Sequence, residues 1–112
     1  MTSTTDSAYP SRPGVRLTLL MTFHDRARHH SLEMEIIKRA RKAKMAGLTV
    51  FEGLEGFGGS GFVHRTHLVS DDAPLALVMV DTPERIDAFV ESVTNLLDGV
   101  VALRERVEIL DI

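Results

Sequence analysis

The apolar residues of this chain change period twice, in the same order each time. Val15, Leu17, Leu19, Met21 and Phe23 alternate with Arg16, Thr18, Leu20 and Thr22, the two-residue period of a strand. Leu32, Ile36, Ile37, Ala40 and Ala43 then recur at helical spacing, with basic residues on the opposite face. Ser31 is placed to cap that helix, Glu33 stands where a helix N-terminus favours negative charge, and Gly47 is placed to end it. Leu48 to Glu55 reads as a second strand, with Thr49, Val50 and Phe51 as its β-favouring part.

The second half repeats the scheme. Leu75 to Val80 is continuously apolar, as in a strand buried on both faces. Thr82 and Pro83 supply the cap and first position of a helix whose apolar stripe is Ile86, Phe89, Val90, Val93, Leu96 and Leu97. Gly99 closes it. Val100 to Ile109 is the last strand, with Val101, Leu103, Val107 and Ile109 on one side and Arg104 and Arg106 on the other. The order is β-α-β-β-α-β. Right-handed crossovers then put both helices on one face of a four-stranded antiparallel sheet, a ferredoxin-like α+β fold.

That arrangement leaves one sheet face without helices. Leu20, Ala76, Val78 and Val80 would lie there as an apolar patch. Burial against another copy of the chain is the expected remedy, so a homo-oligomer is predicted.

Length and composition narrow the class. The 112 residues suit one domain with one core, and 44% hydrophobic content suits a packed globule. Residues 1–13 are rich in Ser and Thr, have no apolar stretch and read as a disordered tail ahead of a domain at 14–112. With no cysteine, disulfides and thiolate metal sites are excluded and the cytoplasm is the expected compartment. No apolar run is long enough to span a membrane, so no direct membrane insertion is expected. The net charge is −3, spread unevenly: basic residues crowd positions 26–44 and acidic ones 71–98. These read as solvated helix faces of opposite sign, or as a basic patch for an anion. An acidic chain of this kind does not read as a nucleic-acid binder.

Several motifs are decoys. Gly56-Phe57-Gly58-Gly59-Ser60-Gly61 matches GxGxxG after a strand, yet the helix that would hold a pyrophosphate does not follow it. The same stretch lacks the exposed sheet aromatics on which an RNA-binding domain stacks bases. No cysteine nucleophile exists, Ser60 is not in a G-x-S-x-G elbow, and Asp71-Asp72 lie in a loop without a pocket, so no catalytic residue is assigned. His64 and His67, with Asp71 and Asp72 downstream, keep open an alternative: a metal-binding oligomer akin to divalent-cation tolerance proteins. The long connection Gly56 to Pro74 is the remaining feature. A glycine-rich loop of this length is commonly functional, and its free backbone N–H groups can wrap an anion.

Ala46-Gly47-Leu48-Thr49-Val50, then Glu55-Gly56-Phe57-Gly58, then Pro74, a hydrophobic strand ending Val80-Asp81-Thr82, and Glu84-Arg85-Ile86 form an ordered set across residues 15–110. The set resembles a PII-like family of uncharacterised bacterial proteins, a domain-of-unknown-function branch of the nitrogen regulatory PII superfamily. The resemblance implies a non-enzymatic, homotrimeric signalling protein with no resident cofactor. It implies clefts between subunits for an adenine nucleotide or similar small anion, lined by Thr49, Gly56, Phe57, Gly58 and Gly59. It also implies a T-loop, Gly59 to Asp72 with Ser60, Gly61, His64, Arg65 and His67, that docks onto a partner such as a membrane transporter or an enzyme.

Two departures are visible. Leu97-Asp98-Gly99-Val100 leaves no room for the Lys-containing loop that grips phosphates in PII proteins, and Arg104 and Arg106 stand where positive charge would come from instead. Glu52-Gly53-Leu54-Glu55 is one residue longer than the PII strand, which predicts a bulge at Gly53.

Overall fold

A computed structural model describes residues 8–22, 26–27, 30–57, 63–65 and 74–112. In chain order the elements begin with strand β1 (Ser11–Thr22), the short strands β2 (Arg26–Ala27) and β3 (His30–Ser31), and helix α1 (Leu32–Lys42). Strands β4 (Thr49–Glu52), β5 (Glu55–Phe57), β6 (Val63–Arg65) and β7 (Pro74–Asp81) follow. Helix α2 (Pro83–Val93), a 3-10 turn (Thr94–Leu96) and β8 (Val101–Leu110) complete the chain. The main sheet runs β4-β7-β1-β8 and is antiparallel at every pairing. This is the expected ferredoxin-like α+β architecture, with two short ribbons, β2–β3 and β5–β6, added to it.

The core lies between the helices and one sheet face. Val15, Leu17, Leu19 and Met21 of β1 and Leu75, Leu77 and Met79 of β7 are buried there. They meet Leu32, Ile36 and Ala40 of α1 and Ile86, Phe89 and Val93 of α2. Removing this much apolar surface from water is the main force holding helices to sheet. Both helices start where expected. Ser31 Oγ accepts from Met34 N at 3.3 Å, and Thr82 Oγ1 accepts from Arg85 N at 3.3 Å ahead of Pro83.

Other boundaries differ from expectation. β1 begins at Ser11, so residues 11–13, read as the end of the tail, pair with Leu110, Ile109 and Glu108 of β8. Pro13 is tolerated because β7 reaches only to Val15, leaving that end of β1 flanked on one side alone. α1 ends at Lys42, well before Gly47. Lys44 takes the left-handed conformation (φ 56), while Lys44 N donates to Arg41 O and Met45 N to Ala40 O. Those two bonds make a Schellman end, with Met45 packed against the core. The second strand stops at Glu52, and no bulge is needed. Gly53 N donates to Pro74 O at 2.7 Å, and a Cβ on Gly53 would come within 2.8 Å of Pro74 Cγ. The chain then leaves the sheet, so Glu55, Gly56 and Phe57 enter the β5–β6 ribbon and not an open loop.

Candidate functional site

The face without helices can be read row by row from the strand register. One row is Phe51, Ala76, Leu20 and Val101; the next is Thr49, Val78, Thr18 and Leu103; a third is Val80, Arg16 and Glu105. Phe51 is 58% exposed, Val101 52%, Leu103 47%, Leu20 40% and Val80 37%. The apolar patch expected from Leu20, Ala76, Val78 and Val80 is therefore wider than those four residues. Phe51, Val101 and Leu103 complete it. Their signal was available in the period of two that links Phe51 to Thr49 and Leu103 to Val101.

Thr49 belongs to this open face, on the edge strand β4. Arg104 and Arg106 lie on the opposite edge strand, β8, and on the other face, opposite Leu17 and Val15. Three strand spacings, about 14 Å, separate the two edges. Within one chain, Thr49 and the two arginines are not brought together. Arg104 Nη2 lies 3.1 Å from Asp87 Oδ1 of α2, an ion pair with both partners exposed. In the ribbon, Gly56 is opposite His64, Phe57 opposite Val63, and Glu55 opposite Arg65. Gly58, Gly59, Ser60, Gly61 and His67 lie outside the described residues.

The α2–β8 connection is a tight turn, with Val100 N donating to Leu97 O at 3.0 Å and Gly99 at φ 82. A left-handed position of this kind suits glycine. No phosphate-gripping loop is inserted there.

One polar cluster was not foreseen. Asp81, 7% exposed at the end of β7, accepts from Ala46 N at 2.9 Å, Thr82 N at 2.8 Å and Arg85 Nε at 3.1 Å. Arg85 Nη2 also donates to Ala43 O at 3.2 Å and to Lys44 O, closing the end of α1. Burial pushes the Asp81 carboxyl up, but the Ala46 and Thr82 N–H groups and the Arg85 guanidinium together outweigh it and hold the group below its ordinary value. The cluster ties the end of α1, the α1–β4 connection, β7 and α2 to one point. Glu33, in the first turn of α1, is pushed the other way, first by burial and then by the charge of Glu52.

The basic face of α1 is partly engaged: Arg39 Nε donates to Glu35 Oε2 at 2.8 Å and Nη1 to Ser92 O at 3.2 Å. A hollow of about 500 Å³ runs along Met34, Ile37, Lys38 and Arg41, and one of about 170 Å³ lies between Met45, Arg85 and Phe89. Neither contains a residue of the expected inter-subunit cleft, although Lys38 and Arg41 of the first belong to the basic run at 26–44. Among the described residues, no three His, Asp or Glu side chains are grouped as a metal ion would need, and no helix is long and apolar enough to cross a membrane.

Comparison with known proteins agrees with this architecture. A UPF0166 protein of Aquifex aeolicus is 26% identical over 77 residues, 67% of this chain and 72% of that one. Among solved structures, CPII of Thiomonas intermedia K12, a nitrogen regulatory PII-like protein bound to ADP, AMP and bicarbonate, superposes with a TM-score of 0.72. The two are 17% identical over 91% of this chain and 92% of that one. A PII-like signaling protein of Thermus thermophilus gives a TM-score of 0.65 at 15% identity, over 88% and 91%. The fold is thus PII-like, and the family model DUF190 (Uncharacterized ACR) matches residues 14–109, so the chain belongs to the DUF190 family.

Proposed function

We propose that this chain is a non-enzymatic, cytoplasmic PII-like regulator that assembles as a homotrimer through its open sheet face. It would hold a small anionic ligand, an adenine nucleotide above all, where the β4 edge of one subunit approaches the β8 edge of the next. The segment Gly59 to Asp72 would carry the signal to a partner, such as a transporter or an enzyme. The observation that carries the reading is the split site: Thr49 and the Arg104–Arg106 pair stand on opposite edges and opposite faces of one sheet. They serve one ligand only if two copies supply them. The exposed row of Phe51, Leu20 and Val101 gives the copies a reason to meet. CPII, with the same fold, is bound to ADP, AMP and bicarbonate, which makes these the first ligands to try.

Light scattering on the eluting protein together with calorimetry against ADP, AMP, ATP and bicarbonate tests this. A trimeric mass is expected, with nucleotide binding that Arg104→Ala/Arg106→Ala weakens at least tenfold. Absence of binding by every nucleotide removes the ligand assignment. A monomer at tens of micromolar removes the whole reading.

A further inference from the structure

The open face is not uniformly apolar. Beside its two apolar rows, Arg16 and Glu105 sit opposite each other on β1 and β8. Arg16 Nε donates to Glu105 Oε1 at 3.0 Å and Nη2 to Oε2 at 3.0 Å, a two-pronged fork. Both side chains are about half exposed in one subunit, where such a pair adds little to stability. Its position matters more. It shares a row with Val80 and stands next on this face to the row of Thr18 and Leu103, two residues along each strand. The looser contact of Arg12 Nε with Asp111 Oδ1, 3.7 Å, is at the far end of β1, away from the apolar rows.

We propose that the Arg16–Glu105 fork fixes the copy number and register of self-association, acting as the polar lock in an otherwise apolar interface between copies of this chain. The inference rests on the self-assembly proposed above. Charge complementarity names a second copy as the occupant. Among the described residues the face carries cation and anion in equal number, Arg16 with Glu105 beside the apolar rows and Arg12 with Asp111 at its far end, so a copy of the same face can match it. A strongly acidic or strongly basic partner would always meet its own sign. The fork is also unfinished: a guanidinium has five N–H donors and a carboxylate about four acceptor positions, and the pair uses two of each. The rest remain for groups of a neighbouring copy.

Once a second sheet closes over the fork, water no longer screens it. Removing one partner then strands a charge, whereas replacing both by apolar residues of similar size leaves affinity intact. What the double replacement loses is discrimination between alternative packings of two greasy surfaces, as when a single polar residue sets the number of strands in a coiled coil.

Native mass spectrometry and light scattering over a dilution series test this on the full chain. For Glu105→Ala, the concentration for half-assembly is expected to rise at least tenfold. For Arg16→Met/Glu105→Leu, assembly is expected at wild-type concentrations or lower, but spread over more than one mass. Circular dichroism of the dissociated chains checks that each variant is folded, which the exposure of the pair in one subunit favours. A double variant with the single wild-type mass, or Glu105→Ala assembling as the wild type does, overturns the proposal. A wild-type chain that never assembles overturns the self-association beneath it, and that outcome is distinct from both.

Discussion

At the scale of single residues, the two displaced carboxyl groups make opposite predictions. Asp81 is held below its ordinary value of 3.8, so it favours the folded state above that pH and loses the benefit as the pH falls through its lower folded value. Asp81→Asn is expected to cost about 2 kcal/mol at pH 7, the range for bonds to a charged group. The gap to wild type should narrow below pH 3.8 in urea melts. Glu33 is held above its ordinary value of 4.5, so its charge opposes folding at neutral pH and the opposition disappears in acid. Glu33→Gln should raise the melting temperature at pH 7 and bring no advantage below pH 4.5. The sequence placed Glu33 correctly in a first helical turn. It could not show that Glu52 is near enough for its charge to be felt, because the two lie far apart in sequence and only the fold brings them within reach. Asp81 was hidden for a related reason: Thr82 and Arg85 are its neighbours in sequence, but Ala46 and the α1-end carbonyls that Arg85 also reaches come to it only through folding.

Elements were legible wherever side-chain pattern decides them. The alternation of β1 and the caps Ser31 and Thr82 are local and survive folding unchanged. Boundaries set by the backbone were not legible. Lys44 ends α1 although lysine has no preference for the left-handed conformation, because the Schellman bonds and Met45, packed half-buried against the core, hold it there. Gly56 and Phe57 enter a ribbon whose three-residue strands are too short to show an alternation. The two left-handed positions should respond with opposite sign. Lys44→Gly relieves a conformation that costs a side chain about 1 kcal/mol and is expected to gain about 0.5 kcal/mol after glycine's own entropy. Gly99→Ala is expected to lose about 1 kcal/mol. Thermal melts of both variants check the pair.

For the whole molecule, the uncovered sheet face was readable from the alternation of β1 and the apolar run of β7. The placement of the candidate site was not, since strand order decides which residues share an edge. Leu20→Glu puts a charge in the middle of the exposed row while leaving the buried face of β1 untouched. Folded monomers with a melting curve close to that of the dissociated wild type are expected by light scattering and calorimetry. Retention of the oligomer would place the contact elsewhere.

The separation of Thr49 from Arg104 and Arg106 has a quantitative consequence under the proposed reading. A pocket furnished half by each of two molecules binds and unbinds in step with their association, so its ligand is also a glue. Such a sensor answers to two abundances at once. At a constant level of effector, simply making more of the protein would turn the signal on.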